Sequence, residues 1–130
     1  MGQPVLAESS VKVKEIPETT EIQRSAGVSF SRYFTARLEA GKTPYDEVRW
    51  ELSTASIAND KGAVIFEQRD VEIPADWSQT ATNIVASKYF HGKLGSPDRE
   101  RSVLQLVHRV VDTITGWGAA GGYFRASEDA

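Results

Sequence analysis

Cysteine is absent from all 130 residues, and that one omission removes disulfide cross-links, thiolate metal sites and every form of thiol redox chemistry. Histidine occurs only at His91 and His108, with neither cysteine nor regularly spaced carboxylates around them, so no metal centre is expected. No stretch approaches the about 18 consecutive apolar residues of a membrane span, and the N-terminal part has no apolar run behind a basic start. A soluble, cytoplasmic protein with no membrane partner is the resulting expectation. Positive charge is also scarce: 15 Lys and Arg stand against 18 Asp and Glu, a formal net charge of -3. Phosphate neutralisation needs a basic face, so nucleic acid is not an expected partner either. Arg99 and Arg101 come nearest to a basic cluster, but Asp98 and Glu100 interleave with them. That mixture reads as the solvated first turn of a helix.

What the chain does have is enough apolar material for one compact domain, 40% of its residues, with three Trp, four Tyr and five Phe. Residues 1–28 are rich in Glu, Ser, Thr, Gln and Lys and poor in large apolar groups, which predicts a disordered tail. Residues 30–38 hold Phe30, Tyr33, Phe34 and Leu38 on one helical face, while their aromatic and Thr content suits a strand. A third strand here would relieve an exposed sheet edge. Residues 48–52 alternate, with Val48, Trp50 and Leu52 on one face and Arg49 and Glu51 on the other, the pattern of a half-buried strand. Asn59, Asp60 and Gly62 supply turn chemistry before β-prone residues resume at 63–68, so a β-hairpin follows.

Two helices are predicted next. In the first, over residues 77–91, Asp76 is placed as N-cap with Gln79 reaching back, Trp77, Ala81, Ile84, Val85 and Tyr89 form the inward stripe, and Gly92 ends it. In the second, over 97–117, Ser96 and Pro97 are read as N-cap and N1, and Val103, Val107, Val110, Ile114 and Trp117 form the stripe, broadened by Leu104 and Val111. Gly116 and Gly118 are then read as its breakers. The architecture expected is α+β: a small antiparallel sheet of two or three strands covered by two helices.

Chemistry-bearing motifs are few. Gly116-Trp117-Gly118-Ala119-Ala120-Gly121 matches the letter of G-x-G-x-x-G but follows a helix instead of joining a strand to one, so it reads as a helix end and hinge. His91 is read as a helix C-terminal group favoured by the dipole, and His108 as a boundary residue. Ser78, Ser96 and Ser102 sit at helix starts without a neighbouring base, where hydroxyls cap. Asp70, Glu72 and Asp76 could pair as catalytic carboxylates, but a solvated loop and an N-cap account for them. Trp77 and Trp117 read as packing residues before ligand platforms. No catalytic, cofactor-binding or metal-ligating residue is assigned.

The string from Asp76 to Gly92, with its Trp77-Ser78-Gln79 and Lys88-Tyr89-Phe90 combinations, is long and unusual. Together with Gly121-Gly122-Tyr123-Phe124 downstream, and residues 43–48 and 64–68 upstream, it resembles the N-terminal domain of the adenosylcobalamin-dependent (class II, vitamin B12-dependent) ribonucleotide reductases. The likeness runs from Phe30 to Phe124. It implies an oxidoreductase of DNA-precursor supply, in which cobalt–carbon homolysis of adenosylcobalamin generates a cysteine thiyl radical that acts on ribonucleoside di- or triphosphates, with a thiol reductant as partner. With no cysteine, none of those functions maps onto this chain.

In such proteins the segment ending in Gly-Gly-Tyr-Phe precedes a large α/β barrel that holds nucleotide and cobalamin. The resemblance therefore implies a non-catalytic domain over 29–124, a linker beginning at 125–130, and a cut at a domain boundary. A structural and docking role toward the enzyme's own downstream barrel is the leading expectation, with Trp117, Gly118, Gly121, Gly122, Tyr123 and Phe124 as the interdomain contacts. The alternatives are a nucleotide-sensing module of the same enzyme and a stand-alone interaction domain.

Overall fold

The computed structural model describes residues 27–130; the expected tail, as far as residue 26, lies outside them. The architecture is α+β. A two-stranded antiparallel hairpin, β1 (Trp50–Ala58) and β2 (Val64–Pro74), carries two helices, α1 (Gln79–Lys88) and α2 (Val103–Ala120). Ala55, Val71, Ile73, Ala86, Phe90 and Val103 form the buried centre, with Trp50, Phe66, Trp77, Val85, Leu106 and Val107 packed around it.

The hairpin turn forms as its residues require. Asn59 Oδ1 accepts from the N–H groups of Lys61 and Ala63, both at 3.0 Å, and the following Gly62 adopts φ 79°. Both strands are longer than the alternating segment at 48–52. Between the pairs Ser53↔Val71 and Ala55↔Gln68, β2 carries one more residue than β1, and Asp70 takes φ 55° in that bulge. The expected inward face is corrected accordingly. β1 starts at Trp50, which is half-buried, while Leu52 is exposed and the fully buried β1 residue is Ala55. Small Ala55 faces the core that α1 also enters through Ala86, which lets helix and strand approach closely.

No third strand forms among the described residues. Residues 30–38 make turns, with Leu38 N–H bonded to Thr35 O at 3.1 Å, and Phe34 is 95% exposed. The sheet edges are protected by other means. On β1, Ser56 N–H donates to Asn83 Oδ1 (2.9 Å) and Thr54 O accepts from Gln79 Nε2 (2.8 Å), so two α1 side chains occupy the open edge. On β2, Glu72 N–H donates to Arg101 O at 2.8 Å, and a parallel bridge joins Glu72 to Ser102.

Both helix starts differ from the sequence expectation, for one reason. Strand pairing extends through Pro74, and Ala75 N–H bonds Arg49 O, which holds residues 74–77 in a turn. The N-cap of α1 is therefore Ser78, whose Oγ accepts from Ala81 N–H at 3.1 Å, and not Asp76; Gln79 reaches β1 instead of its own cap. The buried face of α1 is Thr82 and Ala86, four residues apart, while Ile84 and Tyr89 of the expected stripe are exposed. Likewise residues 99–101 are held extended against β2, so α2 starts after Ser102 and the Ser96–Pro97 pair lies in a turn. Ser102 Oγ caps Leu104 N–H at 3.0 Å.

Arg99 and Glu100, expected on a solvated helix start, are instead the polar hub of the domain. Arg99 donates to the carbonyls of Ala86, Phe90 and Gly92 and to Gln68 Oε1, closing the C-terminal end of α1 onto β2. Glu100, 9% exposed, accepts from His91 N–H (2.7 Å) and from Arg109 of α2 (2.6 Å), while its own carbonyl accepts from Gln68 Nε2. No buried side-chain polar atom among the described residues lacks a partner.

Two measurements probe this frame. Gly92 sits at φ 84°, and a Cβ there would lie 2.4 Å from Asp98 O. Gly92→Ala therefore costs at least about 1–2 kcal/mol from left-handed backbone alone, a melting-temperature drop of roughly 4–8 °C or more by calorimetry. For Glu100, burial pushes the carboxyl up, but the Arg109 hydrogen bond, the His91 N–H and the Arg109 charge hold it below its ordinary value. Its folded-state value being depressed, the stability it contributes is complete above the unfolded value of about 4.3 and is lost as pH falls through the lower folded one. Urea unfolding of wild type and Glu100→Gln should differ by a constant amount near neutrality and converge below about pH 4.

Candidate interdomain docking surface

Helix α2 is the element whose apolar pattern outruns its cover. Its first turns reach the core through Val103, Leu106 and Val107. From there the same stripe continues through Val110, Val111, Ile114 and Trp117, each of them exposed among the described residues. Ile114 is 58% and Trp117 70% exposed. The helix contributes 18 residues, or about 27 Å, whereas the hub ties only its N-terminal half, through Arg109, to the rest. A contiguous exposed apolar row of this kind marks an interaction surface more often than a free one.

Gly116 and Gly118 do not end the helix, contrary to expectation. An interior glycine costs only about 1 kcal/mol relative to alanine, which the surrounding turns absorb. The stop comes at Gly122, φ 69°, where Tyr123 N–H bonds Gly118 O (2.9 Å) and Gly122 N–H bonds Ala119 O (3.1 Å), the two bonds of a Schellman motif. Gly118 has a different role: the Phe124 ring lies on it, so that a Cβ there would stand 2.5 Å from Phe124 Cε2. The six residues read from the sequence as interdomain contacts are thus gathered at one end of the molecule. Trp117 and Tyr123 (69% exposed) point outward, Gly118 and Phe124 form an internal seat, and Gly121 and Gly122 make the turn.

The other singled-out residues take structural parts. His108 stacks on Tyr45, with ring centres 4.8 Å apart, and meets Asp112 at 3.3 Å. The backbone groups of His91 bond Glu100. Glu72 lies in β2, not in a loop, and accepts from Ser102 Oγ at 2.5 Å, while Asp76 is an exposed turn residue. Trp77 packs on the core, as expected. A cleft of about 280 Å³ gathers Arg69, Arg99 and Arg101 with Glu67 and Asp70. Arg99 is engaged by three carbonyls and Gln68, and Arg69 pairs with Glu67, while the Glu67 and Asp70 carboxylates share the cleft and oppose an anion there. Periodicity gave no hint of the hub or of Asp129, considered below, because polar side chains in loops carry no period.

Among the described residues no group of three or more His, Asp or Glu could hold a metal, and no helix is long and apolar enough to cross a membrane. The described residues form a small α+β module with no cluster of metal-ligating side chains among them and one helix that presents an exposed apolar face. Residues 51–130 match the family model described as class II vitamin B12-dependent ribonucleotide reductase, and the chain belongs to that family. It is similar to the vitamin B12-dependent ribonucleotide reductase of Rhodopirellula baltica, with 50% identity over 105 residues, covering 80% of this chain and 10% of that protein. The corresponding enzyme of Streptomyces coelicolor is 48% identical over 91 residues (69% of this chain, 9% of that protein), and that of Streptomyces avermitilis 43% over 108 (82% and 11%). The chain thus spans about a tenth of the length of the curated relatives it matches. No solved structure matches it.

The two interior glycines of α2 should respond oppositely to alanine. Gly116, with open space around its Cα, gains up to about 1 kcal/mol of helix stability. Gly118→Ala expels the Phe124 ring, visible by NMR as loss of the ring-current shift on residue 118 and new exchange at the 123–125 amides.

Proposed function

We propose that this chain is the N-terminal, non-catalytic structural and docking part of a vitamin B12-dependent ribonucleotide reductase, the enzyme class that converts ribonucleotides to 2′-deoxyribonucleotides for DNA synthesis. The observation that carries the reading is the uncovered row on α2, Val110, Val111, Ile114 and Trp117, on a chain a tenth the length of its relatives. Apolar surface of this extent is favourable to bury, and the catalytic barrel encoded in the remaining length of the relatives is the occupant that the family resemblance supplies. Trp117 and Tyr123 are the anchors, since large aromatic side chains carry most of the energy of such contacts.

Adenosylcobalamin is the cofactor of the whole enzyme in this reading, and the residues here do not fit it. The chain has no cysteine, and the described residues offer no cluster of metal-ligating side chains. Clefts of about 280 and 360 Å³ lie at the low end of those that hold drug-sized molecules, and a corrin is larger still. Ribonucleotide, thiol reductant and radical chemistry accordingly belong to the barrel. A cytoplasmic location goes with a role in nucleotide supply.

Hydroxyl-radical footprinting read by mass spectrometry tests the docking face. Trp117 and Tyr123 should react readily in the 130-residue chain and several-fold more slowly in the full-length enzyme. Ile114→Asp should lower reductase activity or thermal stability of the full enzyme while leaving the melting temperature of the short chain unchanged. Equal reactivity of Trp117 in both contexts would remove the proposal.

A further inference from the structure

The Schellman motif positions the chain only as far as Tyr123; beyond it a 3-10 turn at Ser127–Asp129 is internal to the segment, and no described hydrogen bond of α2 directs residues 124–130. What holds them is the opposite end of the described sequence. Val28 N–H donates to Tyr123 O (2.8 Å), and Arg125 N–H donates to Val28 O (3.1 Å), forming a parallel bridge between Val28 and Phe124. Asp129 then closes a second contact. Its Oδ1 accepts from Ser29 Oγ and Phe30 N–H, both at 3.0 Å, and its Oδ2 accepts from Ala126 N–H at 3.1 Å. Arg32 donates to the Glu128 carbonyl. Gly27 passes so close to Phe124 that a Cβ would stand 2.4 Å from its carbonyl carbon, and Phe124 in turn is seated on Gly118 of α2. Segments about a hundred residues apart are thus stacked in three layers: residues 27–30, residues 123–129, and the end of α2.

We propose that residues 27–30 and Asp129 form a clasp that locks the exit segment onto α2. The apolar side chains of Val28, Phe30 and Tyr123 then join the α2 row as a single surface for the catalytic part of the same enzyme. This deepens the docking reading and rests on it. Three observations support it. Val28, Phe30 and Tyr123 are all more than half exposed although the N–H and C=O of Val28 and Tyr123 and the N–H of Phe30 are hydrogen-bonded, which is how an ordered surface waiting for a partner is built. The close approaches at Gly27 and Gly118 leave the stack no room for side chains, so its register is steric as well as hydrogen-bonded. The Phe30 N–H, chiefly, holds the Asp129 carboxyl below its ordinary range; partial burial opposes this, and Ser29, Ala126 and the Arg125 charge add to it. The acceptor is therefore ionised near neutrality.

Asp129→Ala opens the clasp from the exposed side, and Gly27→Val opens it independently by steric conflict. In the 130-residue chain, either variant should accelerate amide hydrogen exchange at Val28 and Arg125 by at least about tenfold while leaving Ala55 and Val71 unchanged. In the full-length enzyme carrying Asp129→Ala, Phe30 and Tyr123 should regain footprinting reactivity while Trp117 stays protected. Wild-type exchange rates at Val28 and Arg125 in both variants would overturn the clasp. Faster exchange with unchanged protection of Phe30 and Tyr123 in the full enzyme would overturn its role in presenting the surface. Failure of docking itself reads out separately, as equal Trp117 reactivity in the wild-type short chain and enzyme.

Discussion

The buried carboxylate of Glu100 is the contact on which the arrangement of this domain turns. It receives the His91 N–H from beyond the end of α1 and the Arg109 guanidinium from the second turn of α2, while the backbone beside it is bonded to Gln68 of β2. Arg99, one residue away, collects the Ala86 carbonyl that α1 leaves open in its last turn and the Phe90 and Gly92 carbonyls just beyond it. Burying a carboxylate is costly unless it is paired and hydrogen-bonded. Glu100 is both, so three elements meet in one mutual geometry.

That geometry explains why an apolar helix face stays uncovered. With Arg109 held at the hub, α2 meets the small hairpin through its first turns only and projects beyond it. A two-stranded sheet offers too little surface to cover an 18-residue helix. The clasp at residues 27–30 and 123–129 then orders the projecting end without covering it. Rigidity without burial suits a surface that another part of the same enzyme completes, since ordering the contact residues beforehand lowers the cost of association.

Much of the framework was legible in the sequence, but unevenly. The hairpin was readable because Asn59 and Gly62 impose their turn locally, and the helices because their apolar residues recur at helical spacing. Boundaries were not. Asp76 and Ser96-Pro97 are sound local start signals, overruled when strand pairing reached Pro74 and when Arg101 bonded β2. The α1 stripe was read in part: Trp77 and Val85 pack on the core, but closeness to the hairpin favours Thr82 and Ala86 over larger Ile84 and Tyr89. The six residues at the exit were singled out from the family resemblance and the glycine pattern, and they gather at one end of the described residues. Gly118, taken for a helix breaker, is instead the seat of Phe124.

Sequence by itself determined the absence of thiol chemistry, the α+β class and the likeness to a reductase family, because composition, turn residues and periodicity act over a few neighbouring positions. Tertiary structure alone decided that Glu100 is buried against Arg109 and that half-buried Arg99 binds carbonyls instead of both being solvated charges, that residues 30–38 add no strand, and that Asp129 reaches Phe30. Each of those depends on groups tens of residues apart meeting in space, and hydrogen-bond satisfaction between such groups leaves no periodic trace along the chain.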